Sequence, residues 1–410
     1  MNKNKHFGTI FYSLINITYF MAFCVIHAFA AVYLLDKGFS NMSVGVLLAV
    51  ANVTSALLQP VVASIIDKYV KITNRICSMV SAAIIALGAL LLLFVSQNQV
   101  AVFIIYTIIY MTQFTYMPVL TALNFEYQKK GCNIFFGLAR GLGSAGFAVT
   151  SMFIGRAVER RGVDILLIAA IIIMAVHILL LYLFKEPAGQ AEHSDASVSS
   201  DAQTGDSSPM TLMEFLKTYP SFVILLVATV LLFFTHNMLN DYIIQIIRNV
   251  GGTESSMGYA TSLAAFLELP AMATITAISK KVKMNKLLIL SGVFFTVKAV
   301  IMLLAPNMVL VYISQAMQLL AYAVFIPSSA YYVSENISQN DQVKGQALIT
   351  SCFTLAGVFS SLVCGAILDN LGVTAMLITG VVVSIIGTIT IFIAVGKKRV
   401  LTYSSQEGKS

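Results

Sequence analysis

The sequence predicts an all-α integral membrane protein with about twelve transmembrane helices, arranged as two six-helix halves. Three observations carry this. Of the 410 residues, 58% are hydrophobic and only 10% are charged, against about 25% charged in ordinary soluble domains. The apolar residues fall in repeated runs of about twenty or more, enough to cross a hydrocarbon core about 30 Å thick. A single long polar tract, near the middle of the chain, interrupts them. Helices are required because backbone amides in lipid must be satisfied within the segment. Runs such as Val80–Val95 lack the alternating polarity of a membrane barrel strand.

Taken in order, span one covers residues 8–35 and aligns Asn16, Phe20, Phe23 and His27 on one face. It is too long for a cleaved leader, and a second apolar run follows almost at once. Span two, 43–66, carries Asn52, Ser55 and Gln59 at helical spacing; span three is 77–95. Span four, 100–127, bears Tyr110, Gln113, Thr121 and Asn124; span five, 134–157, is rich in glycine; span six is 163–185. Span seven, 220–247, places His236, Asn237, Asn240 and Asp241 within about 140° of one helical face. Spans eight and nine, 256–279 and 286–305, contain Glu268 and Lys298. Span ten, 308–335, aligns Gln315, Gln318 and Tyr322, and spans eleven and twelve are 344–369 and 373–396.

The domains expected are residues 1–185, a flexible linker 186–219, residues 220–396 and a tail 397–410. The linker contains a Ser/Asp-rich stretch with no apolar period. The segment 154–163 aligns with 364–373 at an offset of 210, as expected of two parallel repeats. Lys and Arg number 18 in segments on the side of the N-terminus and five on the other, namely Lys37, Arg156, Arg160, Arg161 and Arg248. Both termini are therefore expected in the cytoplasm, with the chain in the cell membrane. The net charge of +7 is explained by this asymmetry, and no nucleic-acid partner is expected. The five cysteines form no CxxC pair or metal-ligand spacing, and are read as free thiols.

The loop after span two, Gln59 to Lys71, resembles the inner-loop signature of the major facilitator superfamily. Asp67, Lys68 and Lys71 match its charges, while Ala63 and Val70 replace its glycines. The resemblance implies a gating role for these three charges, with the carboxylate set against the positive end of span eleven. Span five, from Phe136 to Ala148, resembles that of lactose permease and its oligosaccharide–proton symporter relatives. There an intramembrane arginine and an aromatic residue hold the sugar, positions taken here by Arg140 and Phe147. Other family residues are replaced: the span-four carboxylate by Ala122, the span-seven aspartates by Asn237 and Asn240, their lysine partners by Gln315 and Phe353. Gln318 and Ala321 stand for the proton-coupling histidine and glutamate.

An ionisable side chain at mid-membrane costs about 2.5–3.5 kcal/mol or more on insertion scales and is a functional candidate by default. Arg140, His236, Asp241, Glu268 and Lys298 qualify. Glu268 and Lys298 fall at similar depth on consecutive antiparallel helices, so an ion pair is expected, with Glu268, Lys298 and Asp241 as coupling residues. Arg140, Phe147, Gln113, His236, Asn237, Asn240, Gln315 and Gln318 are the expected substrate-binding set. Carboxamides beside aromatic rings suit a polyhydroxylated ligand. No metalloprotease, nucleophile-elbow or phosphate-loop motif occurs in the sequence. No enzyme activity and no cofactor are expected. The expected function is secondary transport of a sugar, oligosaccharide or nucleoside by proton symport, in a chain that does not require oligomerisation. The alternatives are an efflux antiporter for amphipathic compounds and a non-transporting sensor.

Overall fold

The computed structural model describes residues 7–69, 71–185, 210–279 and 282–396. Both tails, linker residues 186–209, Val70, Lys280 and Lys281 lie outside the described residues. Nine described helices are long and apolar enough to cross a membrane. One of them, Gln339–Val395, joins spans eleven and twelve across Gly372, whose φ of 80° interrupts the helix. Helices Phe136–Arg161 and Glu254–Ser279 are each 26 residues long. They are spans five and eight, less apolar because small and polar residues line them. Among the described residues the total is twelve, each at its expected place.

Local chemistry explains many boundaries. Ser40, Thr73, Asn98 and Asn307 cap spans two, four's neighbour span three, four and ten, their side chains accepting from first-turn N–H groups. Three spans are broken. Span one runs Phe7–Phe23, widens into a π turn at Cys24–Ala28 and resumes as Ala30–Asp36. Span seven, Pro220–Asp241, breaks at Tyr242 and continues as Ile243–Asn249. Span ten passes from Met308–Ala316 through a tight turn at Met317–Leu319 to Tyr322–Asn336. Carbonyls near the breaks find side-chain partners: Tyr106 donates to Ile26 O at 2.7 Å and Ser291 to Ala321 O at 2.7 Å. Broken helices in a membrane survive where such partners replace the lost backbone bonds.

The first six spans form one half and the last six the other. They meet at one end of the molecule, where spans two and five of the first half pack on spans eleven and eight of the second. A Cβ on Gly155 would run into the carbonyl of Glu254, and one on Gly45 into that of Ser361. Glycine is required for so close an approach. The apolar core of the first half continues through Tyr242, Ile246 and Met257 into the second, so this end is closed by packing. Toward the other end the same face of span five presents Gly137 and Gly141 to open space. The halves therefore splay apart in that direction.

The sequence reading carried the linker to residue 219. Its last part is instead a helix, Leu212–Thr218, started by a capping box between Thr211 and Glu214. Phe215 is fully buried against the second half's core, beside Tyr219 and Phe222, and Lys344 bonds the carbonyl of Met210. One apolar side chain on the inward face of a helix of about two turns anchors this piece, at the end of a tract whose composition is mostly polar.

Candidate functional site

Between the halves lies a cavity of about 540 Å³, within the usual range for a site that encloses a small molecule. Spans one, two, four and five line it from one half, and seven, eight, ten and eleven from the other.

In the first half, Arg140 donates to Ser144 Oγ at 2.9 Å, one turn along span five. Its guanidinium lies 4.1 Å from the ring centre of Phe20, a cation–π contact that holds the fork in place. Phe147 stands two turns from Arg140 on the same helix and joins an aromatic wall through Phe23, at 6.4 Å. Phe23 stacks on His27 at 4.2 Å, and His27 touches Tyr110 and Phe114 at 3.8 and 4.4 Å. The π turn in span one places His27 within this aromatic group.

In the second half, Lys298 is buried and donates to Gln318 Oε1 at 2.6 Å, while Gln318 Nε2 donates to Glu268 Oε1 at 2.9 Å. The expected direct ion pair between Glu268 and Lys298 is thus not formed. The tight turn at Met317–Leu319 puts the Gln318 carboxamide between them, matching an acceptor to the ammonium and a donor to the carboxylate. Nearby, His236 stacks on Tyr322 at 4.8 Å, and Asn240 Nδ2 lies 3.0 Å from His236 Nε2. Phe233 and Phe353 stack at 4.1 Å, forming the aromatic wall on this side. Asn237 donates to the carbonyl of Phe353 at 3.5 Å.

Of the residues singled out from sequence, Arg140, Phe147, His236, Asn237, Asn240, Asp241, Glu268, Gln315 and Gln318 line this cavity. Lys298 sits behind Gln318, and Asn52, Ser55 and Gln59 line the span-two side. Gln113 does not line it. Its side chain is fully buried and donates to Tyr19 O at 3.2 Å, tying span four to span one. Tyr110 and Phe114 are the span-four residues at the cavity wall. Asp67 makes no hydrogen bond to span eleven among the described residues, as follows from the separation of the halves toward that end. Lys68 lies over Tyr69 at 5.6 Å.

Sequence reasoning missed Phe233, Phe353 as a wall residue, Phe114, Thr261, Thr350 and Thr354. Phenylalanine in an apolar helix gives no contrast against lipid-facing positions. Thr350, Thr354 and Gly357 carry a usable signal, being spaced as one helical face of span eleven. Among the described residues no group of three His, Cys, Asp or Glu side chains is arranged to hold a metal.

The MFS_1-like family profile matches residues 10–394. The maltose permease of Geobacillus stearothermophilus is 22% identical over 395 residues, covering 95% of this chain and 94% of that protein. Among solved structures, nucleoside transporter NupG superposes with a TM-score of 0.77 at 15% identity, covering 97% of this chain and all of that one. A bacterial homologue of the human lysosomal transporter Spinster, in an inward-facing and unoccupied conformation, gives a TM-score of 0.69 at 14% identity over 97% of this chain and 98% of that one.

Proposed function

Because the chain belongs to the MFS_1-like family of major facilitator transporters, we propose that it moves a small polar solute across the cell membrane by proton symport. The solute class is a sugar, oligosaccharide or nucleoside, and both termini face the cytoplasm. The observation that carries this is the cavity itself: Arg140, Glu268, Gln315 and Gln318 between an aromatic wall at Phe23 and Phe147 and another at Phe233 and Phe353. Hydroxyl groups would exchange hydrogen bonds with the polar row while a ring's apolar face covers an aromatic wall. Given the distribution of basic residues, the closed end of the molecule is the extracellular one, and the conformation opens inward.

Coupling is assigned to the Glu268–Gln318–Lys298 relay, with Asp241 as a second cavity carboxylate. A proton arriving at Glu268 neutralises it without stripping Lys298 of its partner, because the ammonium is held by Gln318. The ammonium stays hydrogen-bonded but loses its counter-charge, a cost that conformational change or bound substrate would relieve. Protonation alters the charge balance between the halves, and substrate that competes for Gln318 biases the same equilibrium. Asp67, Lys68 and Lys71 would act at the inner end when the halves close there.

The test is counterflow and uptake in proteoliposomes with a panel of radiolabelled sugars and nucleosides, with and without an imposed pH gradient. Uptake of any of these, accelerated by an inward proton gradient, supports the reading; uptake of none sinks it. The stacked Phe233–Phe353 wall also suits an amphipathic cargo, so a second panel of hydrophobic cations under an opposite gradient tests the efflux antiporter.

A further inference from the structure

At the closed end, the offset of 210 seen in the sequence recurs in the contacts. Ser151, Gly155, Glu159 and Gly162 in span five correspond to Ser361, Gly365, Asp369 and Gly372 in span eleven. Each glycine at the helix end has φ near 80°, namely 81° at Gly162 and 80° at Gly372. Each member of the small-residue pair Gly155 and Gly365 meets the start of a helix in the opposite half: Glu254 for one, Asn41 and Met42 for the other. The two acidic residues reach those same helix starts. Asp369 accepts from the N–H of Asn41 at 3.0 Å, from Asn41 Nδ2 at 2.8 Å and from the N–H of Met42 at 2.8 Å. Glu159 accepts from Thr253 Oγ1 at 3.1 Å, immediately before the helix that begins at Glu254.

We propose that Asp369 and Glu159 form a duplicated pair of carboxylate latches that hold the closed end shut, each docking at the start of a helix in the opposite half, with Asp369 the stronger. A helix start carries unpaired N–H groups and partial positive charge, so a carboxylate placed there is held by both hydrogen bonding and the helix dipole. Both acids are exposed at the rim of the interface. Water can replace the latch contacts when the end opens, which makes closure reversible. The inequality comes from the contacts: Asp369 takes three hydrogen bonds, two of them from the backbone, and Glu159 takes one from a hydroxyl. Opening therefore begins on the side of spans five and eight. This rests on the alternating-access reading, but closure is measured without reference to substrate or proton.

Hydrogen exchange on the full chain in lipid nanodiscs tests it. Asp369→Ala should raise exchange about tenfold or more, the effect of losing a charge-assisted hydrogen bond, at Asn41 and Met42. It should also raise exchange in residues 254–258, which Asp369 does not touch. Glu159→Ala should raise both regions by a smaller factor. Thr253→Ala, which removes the weaker latch from the opposite side and alters no charge, should reproduce Glu159→Ala and serves if either acid variant fails to insert. A rise confined to Asn41 and Met42 would make Asp369 a local helix cap and overturn the latch. An effect of Glu159→Ala equal to or above that of Asp369→Ala overturns the ranking. If transport assays fail to support a solute symporter while exchange changes at both helix starts, the latch stands and the substrate reading falls.

Discussion

Lys298 does not meet the carboxylate of Glu268; its ammonium is held at 2.6 Å by the carboxamide oxygen of Gln318, whose nitrogen then donates to Glu268 at 2.9 Å. A neutral amide therefore carries the interaction between an acid and a base in a buried site. Gln318→Leu removes both bonds and leaves each charged group short of a partner, at about 1–3 kcal/mol apiece. The expected result is a lower Tm in detergent together with loss of gradient-driven uptake. A variant as stable and as active as the parent would show that the relay has no part in either.

Glu268→Gln keeps the shape of the side chain and removes its proton site. It should abolish accumulation against a gradient while sparing exchange of labelled for unlabelled substrate. Concentrative uptake by this variant under a pH gradient rules Glu268 out as the carrier. Wild-type uptake that ignores the pH gradient rules out proton coupling altogether, leaving a uniporter, an exchanger or a sodium-coupled carrier.

The spans were legible in the sequence because lipid imposes one rule on length, polarity and backbone bonding at once. The site was legible where the membrane makes polarity expensive: Arg140, Glu268 and Asp241 stand out against their helices. It was illegible where contacts depend on rotation and register. Gln113 is as polar as Gln318, yet its face of span four is turned toward Tyr19. The three-membered order of Glu268, Gln318 and Lys298 depends on the break in span ten at Met317–Leu319, which no turn residue announces. Phe353 and Phe233 are indistinguishable in sequence from the many phenylalanines that face lipid.

Topology is open to direct measurement. Cysteines introduced at Lys398 in the C-terminal tail and at Ser200 in the linker should resist an impermeant thiol reagent in intact cells and react after permeabilisation. Labelling of either from outside would invert the orientation on which the inward-opening assignment rests.

The linker should tolerate a break, but only on one side of Leu212–Thr218. Two chains divided near Ser200 keep Phe215 attached to the core it is buried in and should reassemble with transport retained. Division after Tyr219 removes that anchor from the second half and should cost a large part of its stability, about 3–5 kcal/mol for loss of a buried phenylalanine. Co-expression of each fragment pair, followed by co-purification and uptake, checks both. Equal assembly from the two breaks would make the helix dispensable.

Arg140 and Phe147 are proposed to hold the substrate from the first half. The guanidinium of Arg140 is fixed by Ser144 at 2.9 Å and by the ring of Phe20 at 4.1 Å, leaving part of its planar fork to a ligand. Lysine keeps the charge but presents a single point donor, so Arg140→Lys should weaken binding by about tenfold to a hundredfold, the worth of one charge-assisted hydrogen bond. Protein level and Tm should change far less, because a lysine ammonium can still lie against the ring of Phe20 that the guanidinium now covers. A cysteine at Phe147 should be shielded from thiol reagents by a transported substrate and left reactive by compounds that are not transported. Unchanged KM in Arg140→Lys, with no substrate protection at Phe147, would reduce the pair to helix packing and move the binding site to the Phe233–Phe353 side of the cavity.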